Sequence, residues 1–171
     1  LALLPNHFAE HRNLGQSGTE VVVETRAGAA SGFEDREYLD AGAAIAPQAS
    51  EAWSVDLVVK VKEPLPHEFP FLSESSTLFT FLHLAALPGL AEELLTRRVT
   101  AVAYETVTSG GALPILLPMS EVAGILSIQV GARGLEKGCG GRGVLLAGTV
   151  GSPPGDVTVL GAGVAGRSAA R

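Results

Sequence analysis

Short runs of aliphatic and β-branched residues recur along the chain with helix-compatible stretches between them, and this alternation limits the fold more than any other feature. Glu20-Val21-Val22-Val23-Glu24, Asp56 to Val61, Thr77 to Leu82, Thr100 to Tyr104 and Asp156 to Leu160 read as strands. Their nearly continuous apolar character predicts burial on both faces, the habit of parallel sheets. Helical patterns occupy Asp35 to Ala41, Ala49 to Ser54 and Pro88 to Arg98, the last with a proline suited to a first helical position. The order strand, helix, strand predicts an α/β fold built on a Rossmann-like parallel sheet.

One element is longer than the rest. From Pro118 to Lys137 apolar residues cover more than one face of a helix of about five turns. A helix apolar on several sides is packed on several sides, as one joining two lobes would be. The run Gly138-Cys139-Gly140-Gly141-Arg142-Gly143 ends it. The expected organisation is therefore a first lobe over residues 1–117, a connecting helix over 118–137 and the opening of a second lobe over 138–171. Residues 6–19 carry the weakest pattern.

Composition excludes several classes of protein. A net charge of −6, with no cluster of Lys, Arg and aromatic residues, argues against nucleic acid as a partner. The single cysteine, Cys139, cannot form an internal disulfide and has no zinc-like spacing to a histidine, which fits a reducing cytoplasm. No apolar run reaches the length of a membrane span, and Leu1-Ala2-Leu3-Leu4 lacks the basic flank and cleavage pattern of a signal peptide. His7, His11 and His67 show no metal-ligand spacing and are expected at the surface.

The clearest chemical signal lies near the carboxyl end. Asp156 to Leu160 runs directly into Gly161-Ala162-Gly163-Val164-Ala165-Gly166, followed by the helix-compatible Arg167 to Arg171. Strand, GxGxxG and helix in that order match a dinucleotide fingerprint, against the plainer alternative of a Gly-rich turn between a strand and a helix. Gly161 is assigned to the tight turn, Gly163 to close approach of a pyrophosphate, and Gly166 to packing of helix on strand. The acidic residue that would select NAD over NADP belongs about 20 positions further on, beyond Arg171.

Upstream, Lys62 and His83 stand at the carboxyl ends of two apolar strands, where open α/β sheets bind ligands. A cation such as Lys62 there suits a carboxylate or carbonyl; the plainer alternative is a solvated lysine paired with Glu63. His83 can act as a general acid or base, against the alternative of a satisfied core histidine. Glu105 ends a third strand and is placed to line the same crevice. Ser120 and Glu121 are expected to open the long helix.

Several strings resemble the alanine dehydrogenase family in the same order: Lys60-Val61-Lys62-Glu63-Pro64, Phe79-Thr80-Phe81-Leu82-His83-Leu84-Ala85-Ala86, Ala103-Tyr104-Glu105-Thr106-Val107 and Pro118-Met119-Ser120-Glu121-Val122-Ala123-Gly124. Gly140 to Leu145 and the fingerprint continue the match, which is dense over residues 20–171. The resemblance implies NAD-dependent, reversible oxidative deamination of L-alanine to pyruvate and ammonia by a soluble cytoplasmic enzyme, usually a homohexamer. It further implies that Lys62 binds substrate, that His83 is the catalytic histidine, and that Ser120, Gly161, Gly163 and Gly166 contact the cofactor. No metal is implied.

The resemblance also implies parts that this sequence does not contain. An arginine that binds substrate precedes the stretch matching Leu1 to Pro5 in the family. A ribose-binding acid, a catalytic aspartate and closing helices follow the position of Arg171. The chain is thus expected to be an amino-terminal fragment with a truncated second Rossmann lobe, inactive by itself. The alternatives are a protein similar to the transhydrogenase α subunit or to saccharopine dehydrogenase, and a non-catalytic truncated gene product.

Overall fold

The structure, a computed structural model, describes residues 20–171. The expectations for residues 6–19, His7 and His11 lie outside the described residues. The chain divides into two compact units, with the boundary between Thr106 and Val107.

The first unit runs β1 (Val22–Glu24), α1 (Asp35–Asp40), β2 (Ala44–Ala46), α2 (Ala49–Trp53), β3 (Leu57–Val59), β4 (Thr77–Thr80), α3 (Pro88–Thr96) and β5 (Thr100–Ala103). Strands β1 and β2 form one parallel pair. Strands β3, β4 and β5 form a second parallel sheet, with β4 central and registers Val58 on Leu78 and Leu78 on Ala101. The α/β architecture predicted from the alternation is therefore present.

The core follows from periodicity. Leu90 and Leu94, one turn apart on α3, are buried with Val58 of β3, Leu78 of β4, Leu82, Leu72 and Trp53 of α2. Each such side chain contributes about 1.5–3 kcal/mol through burial. Pro88 stands at the first turn of α3, where its missing N–H costs nothing. Helix α1 begins with the backbone N–H of Glu34 donating to the Glu37 carboxylate at 2.8 Å, and it buries Tyr38.

Burial on both faces holds only for the central strand. In β4 Leu78 and Thr80 are buried and Thr77 and Phe79 are half-buried, whereas in β3 only Val58 is buried while Leu57 and Val59 are exposed. The outer strands read as continuous apolar runs, but among the described residues nothing covers their second face. Strand β2 carries no sequence signal of its own, because Ala44-Ile45-Ala46 is short and weakly β-forming; pairing with β1 makes it a strand.

The second unit contains α4 (Leu116–Gly134) and α5 (Val164–Ala169). Helix α4 starts two residues before Pro118, since the first turn of a helix needs no N–H donors and tolerates proline there. Ser120 consequently sits within α4 rather than opening it. The expectation of burial on several sides is not met: the buried residue of α4 is Gly124, while Leu117, Val122, Ile125, Leu126 and Val130 are exposed. A Cβ at Gly124 would strike the carbonyl oxygen of Ala165 and the Cβ of Ser168, so glycine there permits the close crossing of α4 and α5.

Asp156 to Leu160 is not a strand. It has no ladder partner among the described residues, and Val157 and Leu160 are exposed. An apolar β-branched run becomes a strand only when a neighbour accepts its backbone hydrogen bonds.

Candidate functional site

The carboxyl ends of β3 and β4 converge through backbone hydrogen bonds. The Lys60 N–H donates to the Phe79 carbonyl at 3.2 Å and the Phe81 N–H to the Val61 carbonyl at 3.3 Å. The hydroxyl of Thr80, fully buried, donates to the Lys62 carbonyl at 2.9 Å. Lys62 is thereby fixed beside the segment that leads into His83, 21 positions along the chain from it.

Beneath this segment Lys60 is bound to the Glu68 carboxylate, at 2.6 Å to Oε1, and lies 5.3 Å from the centre of the Trp53 ring. The same carboxylate accepts from the Leu65 N–H at 2.7 Å. Glu68 therefore ties down both ends of the Lys60 to Leu65 stretch, which carries Lys62 and Glu63.

His83 occupies the left-handed region, with φ of 49°. Such a backbone costs a residue other than glycine of order 1–3 kcal/mol and persists only when its surroundings hold it. Glu105 supplies the hold: its carboxylate accepts from the His83 N–H at 2.7 Å and from the Leu82 N–H at 3.2 Å. Partial burial acts to raise the Glu105 carboxyl. Backbone N–H donors at Glu105, His83 and Leu82, with the His83 charge beside it, outweigh that and bring it below its ordinary value.

The imidazole is exposed, not a core histidine. It stacks on Phe81, with ring centres 5.7 Å apart and planes 5° from parallel, and Phe81 in turn meets Tyr104 edge-on at 5.1 Å. Burial raises the Tyr104 phenol above its ordinary value, so it stays protonated at neutral pH. His83 and Glu105 border an open cavity of about 440 Å³ floored by Leu84, Ala85, Ala86 and Ala103. The polar groups on an otherwise apolar wall are a histidine, a carboxylate and a threonine.

The Lys62 ammonium is exposed and lies 3.7 Å from Oε2 of Glu63. Nε2 of His83 lies 4.0 Å from the same oxygen. That oxygen is buried and makes no hydrogen bond among the described residues. Lys62 and His83 thus meet at one carboxylate, that of Glu63, which the sequence marks only as the partner of a solvated Lys62.

In the second unit Gly161 has φ of 109°, which glycine alone adopts without strain. A Cβ at Gly166 would strike the carbonyl oxygen of Gly161, whereas Gly161 and Gly163 both face open space. The turn is therefore tight where helix meets chain and open where a ligand's phosphates would approach. The Arg167 guanidinium donates to the Ala162 carbonyl at 3.3 Å and braces it. Ser120 lies half-buried in α4. Among the described residues no group of three His, Cys, Asp or Glu could hold a metal ion, and no helix is long and apolar enough to cross a membrane.

The chain carries Lys62 and His83 at the ends of a parallel α/β sheet, together with a glycine fingerprint of the kind that opens dinucleotide-binding folds. The chain belongs to the alanine dehydrogenase/PNT family: the family's N-terminal domain matches residues 1–123 and its C-terminal domain residues 127–171. It is 49% identical over 171 residues to the alanine dehydrogenase of Bacillus subtilis (strain 168), covering 100% of this chain and 44% of that protein. It is 52% identical over 159 residues to the alanine dehydrogenase of Staphylococcus epidermidis, covering 92% of this chain and 43% of that one.

Among solved structures, an L-alanine dehydrogenase superposes with a TM-score of 0.87 at 50% identity, over 97% of this chain and 45% of that one. A transhydrogenase from Sinorhizobium meliloti superposes with a TM-score of 0.73 at 25% identity, over 92% and 47%. The transhydrogenase is the more distant match. The chain spans less than half the length of the relatives it matches.

Proposed function

We propose that this chain forms the substrate lobe, connecting helix and first part of the nucleotide lobe of an NAD-dependent alanine dehydrogenase, which converts L-alanine reversibly to pyruvate and ammonia. The observation that carries the reading is the meeting of Lys62 and His83 at adjacent strand ends, within a chain about half identical to curated alanine dehydrogenases. We place the lobes at residues 1–117 and 138–171, joined through the segment that carries α4 (Leu116–Gly134). The assembly we assign is a cytoplasmic homohexamer, without nucleic acid or membrane partners.

The fingerprint fits the cofactor. Gly161 and Gly163 leave backbone open to a pyrophosphate, Gly166 closes the turn, and Ser120 supplies a hydroxyl to the nucleotide. The fingerprint glycines would hold NAD, which when bound would supply the hydride acceptor for oxidation at the substrate's α-carbon. The remaining chemistry belongs to the chain. The Lys62 ammonium pairs with the substrate carboxylate and fixes its orientation. His83 removes a proton from the water that adds to the iminium carbon and returns it to the amino group; as the C–N bond breaks, the hydroxyl proton passes back to His83 and pyruvate and ammonia leave. The cavity floor of Leu84, Ala85 and Ala86 accommodates a small apolar side chain.

The test is steady-state kinetics of Lys62→Ala and His83→Ala in the full-length gene product. Lys62→Ala raises KM for L-alanine, whereas His83→Ala lowers kcat by about 100-fold or more. Turnover of alanine unaffected by either substitution rejects the assignment.

A further inference from the structure

Glu63 is set between the two residues assigned to chemistry, and it makes no part of the cavity wall that His83 and Glu105 form. Its Oε2 is buried, has no hydrogen-bond donor among the described residues, and lies 3.7 Å from the Lys62 ammonium and 4.0 Å from Nε2 of His83. A buried carboxylate oxygen without a donor is costly, and here the two candidate donors are each just outside hydrogen-bonding reach. The charged groups facing the imidazole are Glu63 and, from the turn after β5, Glu105. Glu105 is committed to backbone N–H groups, so Glu63 is the acceptor available to the ring.

Phe81 stacks against the imidazole and fixes its plane, which leaves the tautomer and the half-turn that exchanges the ring edges as the freedoms Glu63 controls. An acceptor at one ring nitrogen places the proton there and leaves the other nitrogen with its lone pair. We propose that Glu63 is a positioning residue: its Oε2 accepts from Nε2–H of His83, leaving Nδ1 as the proton-accepting nitrogen, and releases Lys62 when a substrate carboxylate binds.

The Lys62 ammonium and the His83 ring N–H compete for one oxygen. While Lys62 is at Glu63, the oxygen is shared; once the ammonium moves to a carboxylate ligand, Glu63 serves His83 alone. Binding of substrate thereby strengthens the contact that orients the base. The part of this inference that concerns substrate rests on the alanine dehydrogenase reading; the part that concerns the histidine tautomer does not.

The first test is nitrogen NMR of the imidazoles in the 171-residue chain at mildly alkaline pH, with His83 identified by loss of its signals in His83→Asn. Glu63→Gln, which keeps the shape, is expected to raise the Nδ1–H tautomer of His83 by about twofold or more, with Glu63→Asp intermediate. An unchanged tautomer ratio in Glu63→Gln overturns the proposal.

The second test is kinetic, in the full-length gene product. Glu63→Gln lowers kcat for L-alanine by about tenfold with KM within about threefold, and Glu63→Asp recovers part of the loss. A merely packing role predicts full activity in the isosteric Gln variant, and kcat within about twofold of the parent overturns the proposal. If the parent turns over no alanine, the functional reading fails while the tautomer measurement still decides the role of Glu63.

Discussion

The backbone N–H of His83 donates to Oε1 of Glu105 at 2.7 Å, and this bond holds a left-handed histidine at the end of the central strand. Glu105→Ala removes the acceptor for two N–H groups at once. Hydrogen bonds to charged groups contribute about 1.5–3 kcal/mol, so the variant is expected to melt at lower temperature by that amount of stability. Calorimetry of parent and variant checks it. An unchanged melting temperature would mean that the turn at His83 is held by other contacts.

The carboxyls of Glu105 and Asp35 both lie below their ordinary values, Asp35 through the Thr25 hydroxyl and the Arg26 N–H that it accepts. A group depressed in the folded state stabilises fully above its unfolded value, 4.5 for Glu105 and 3.8 for Asp35, and loses that contribution as pH falls through the folded value. Thermal stability is therefore expected to fall as the pH drops below those values. Glu105→Gln should flatten the part of the slope nearest 4.5, as read from melts across the acid range.

Trp53 is the single tryptophan of the chain, and the Lys60 ammonium stands 5.3 Å from its ring centre. Lys60→Met breaks the ion pair with Glu68 and leaves a largely buried carboxylate with the Leu65 N–H as its remaining donor among the described residues. Loss of one partner of a fully buried pair costs about 3–5 kcal/mol, and this partly exposed pair should cost less, about 2 kcal/mol. Tryptophan emission is expected to change intensity in the variant, and urea melts followed by the same signal measure the stability lost.

Two glycines of the second unit are set by close approach. Gly124→Ala forces α4 away from Ala165 and Ser168, and Gly166→Ala forces the fingerprint turn away from the carbonyl of Gly161. Overpacking of this kind costs about 1–3 kcal/mol. Both variants should lose stability, and Gly166→Ala should also weaken NAD affinity, as followed by quenching or calorimetric titration. Gly89→Ala, where a Cβ meets open space, is the control.

Local patterning was sufficient to read most of the first unit. Leu90 and Leu94, the proline at the start of α3, and the apolar runs of β3, β4 and β5 announce their elements because period and capping act within a few residues. Asp156 to Leu160 shows the limit of that logic: its side chains favour a strand, but a strand is completed by a neighbour's backbone, and none lies beside it among the described residues. Ala44-Ile45-Ala46 shows the converse, a weak sequence made a strand by its neighbour. That Lys62 and His83 stand at the ends of β3 and β4 was legible from their position after apolar runs. The approach of Glu63 to His83 was not, because it is a distance that bridges 20 positions of chain.

The measurement that bears most directly on the assignment is NAD reduction by the full-length gene product, followed by NADH absorbance with L-alanine as substrate and pyruvate identified as product. The assignment predicts alanine-dependent NADH formation, reversed by pyruvate and ammonia, and slowed about 100-fold or more in His83→Ala while the protein remains folded. NADH formation with another amino acid but not with L-alanine, or full activity in His83→Ala, would contradict it.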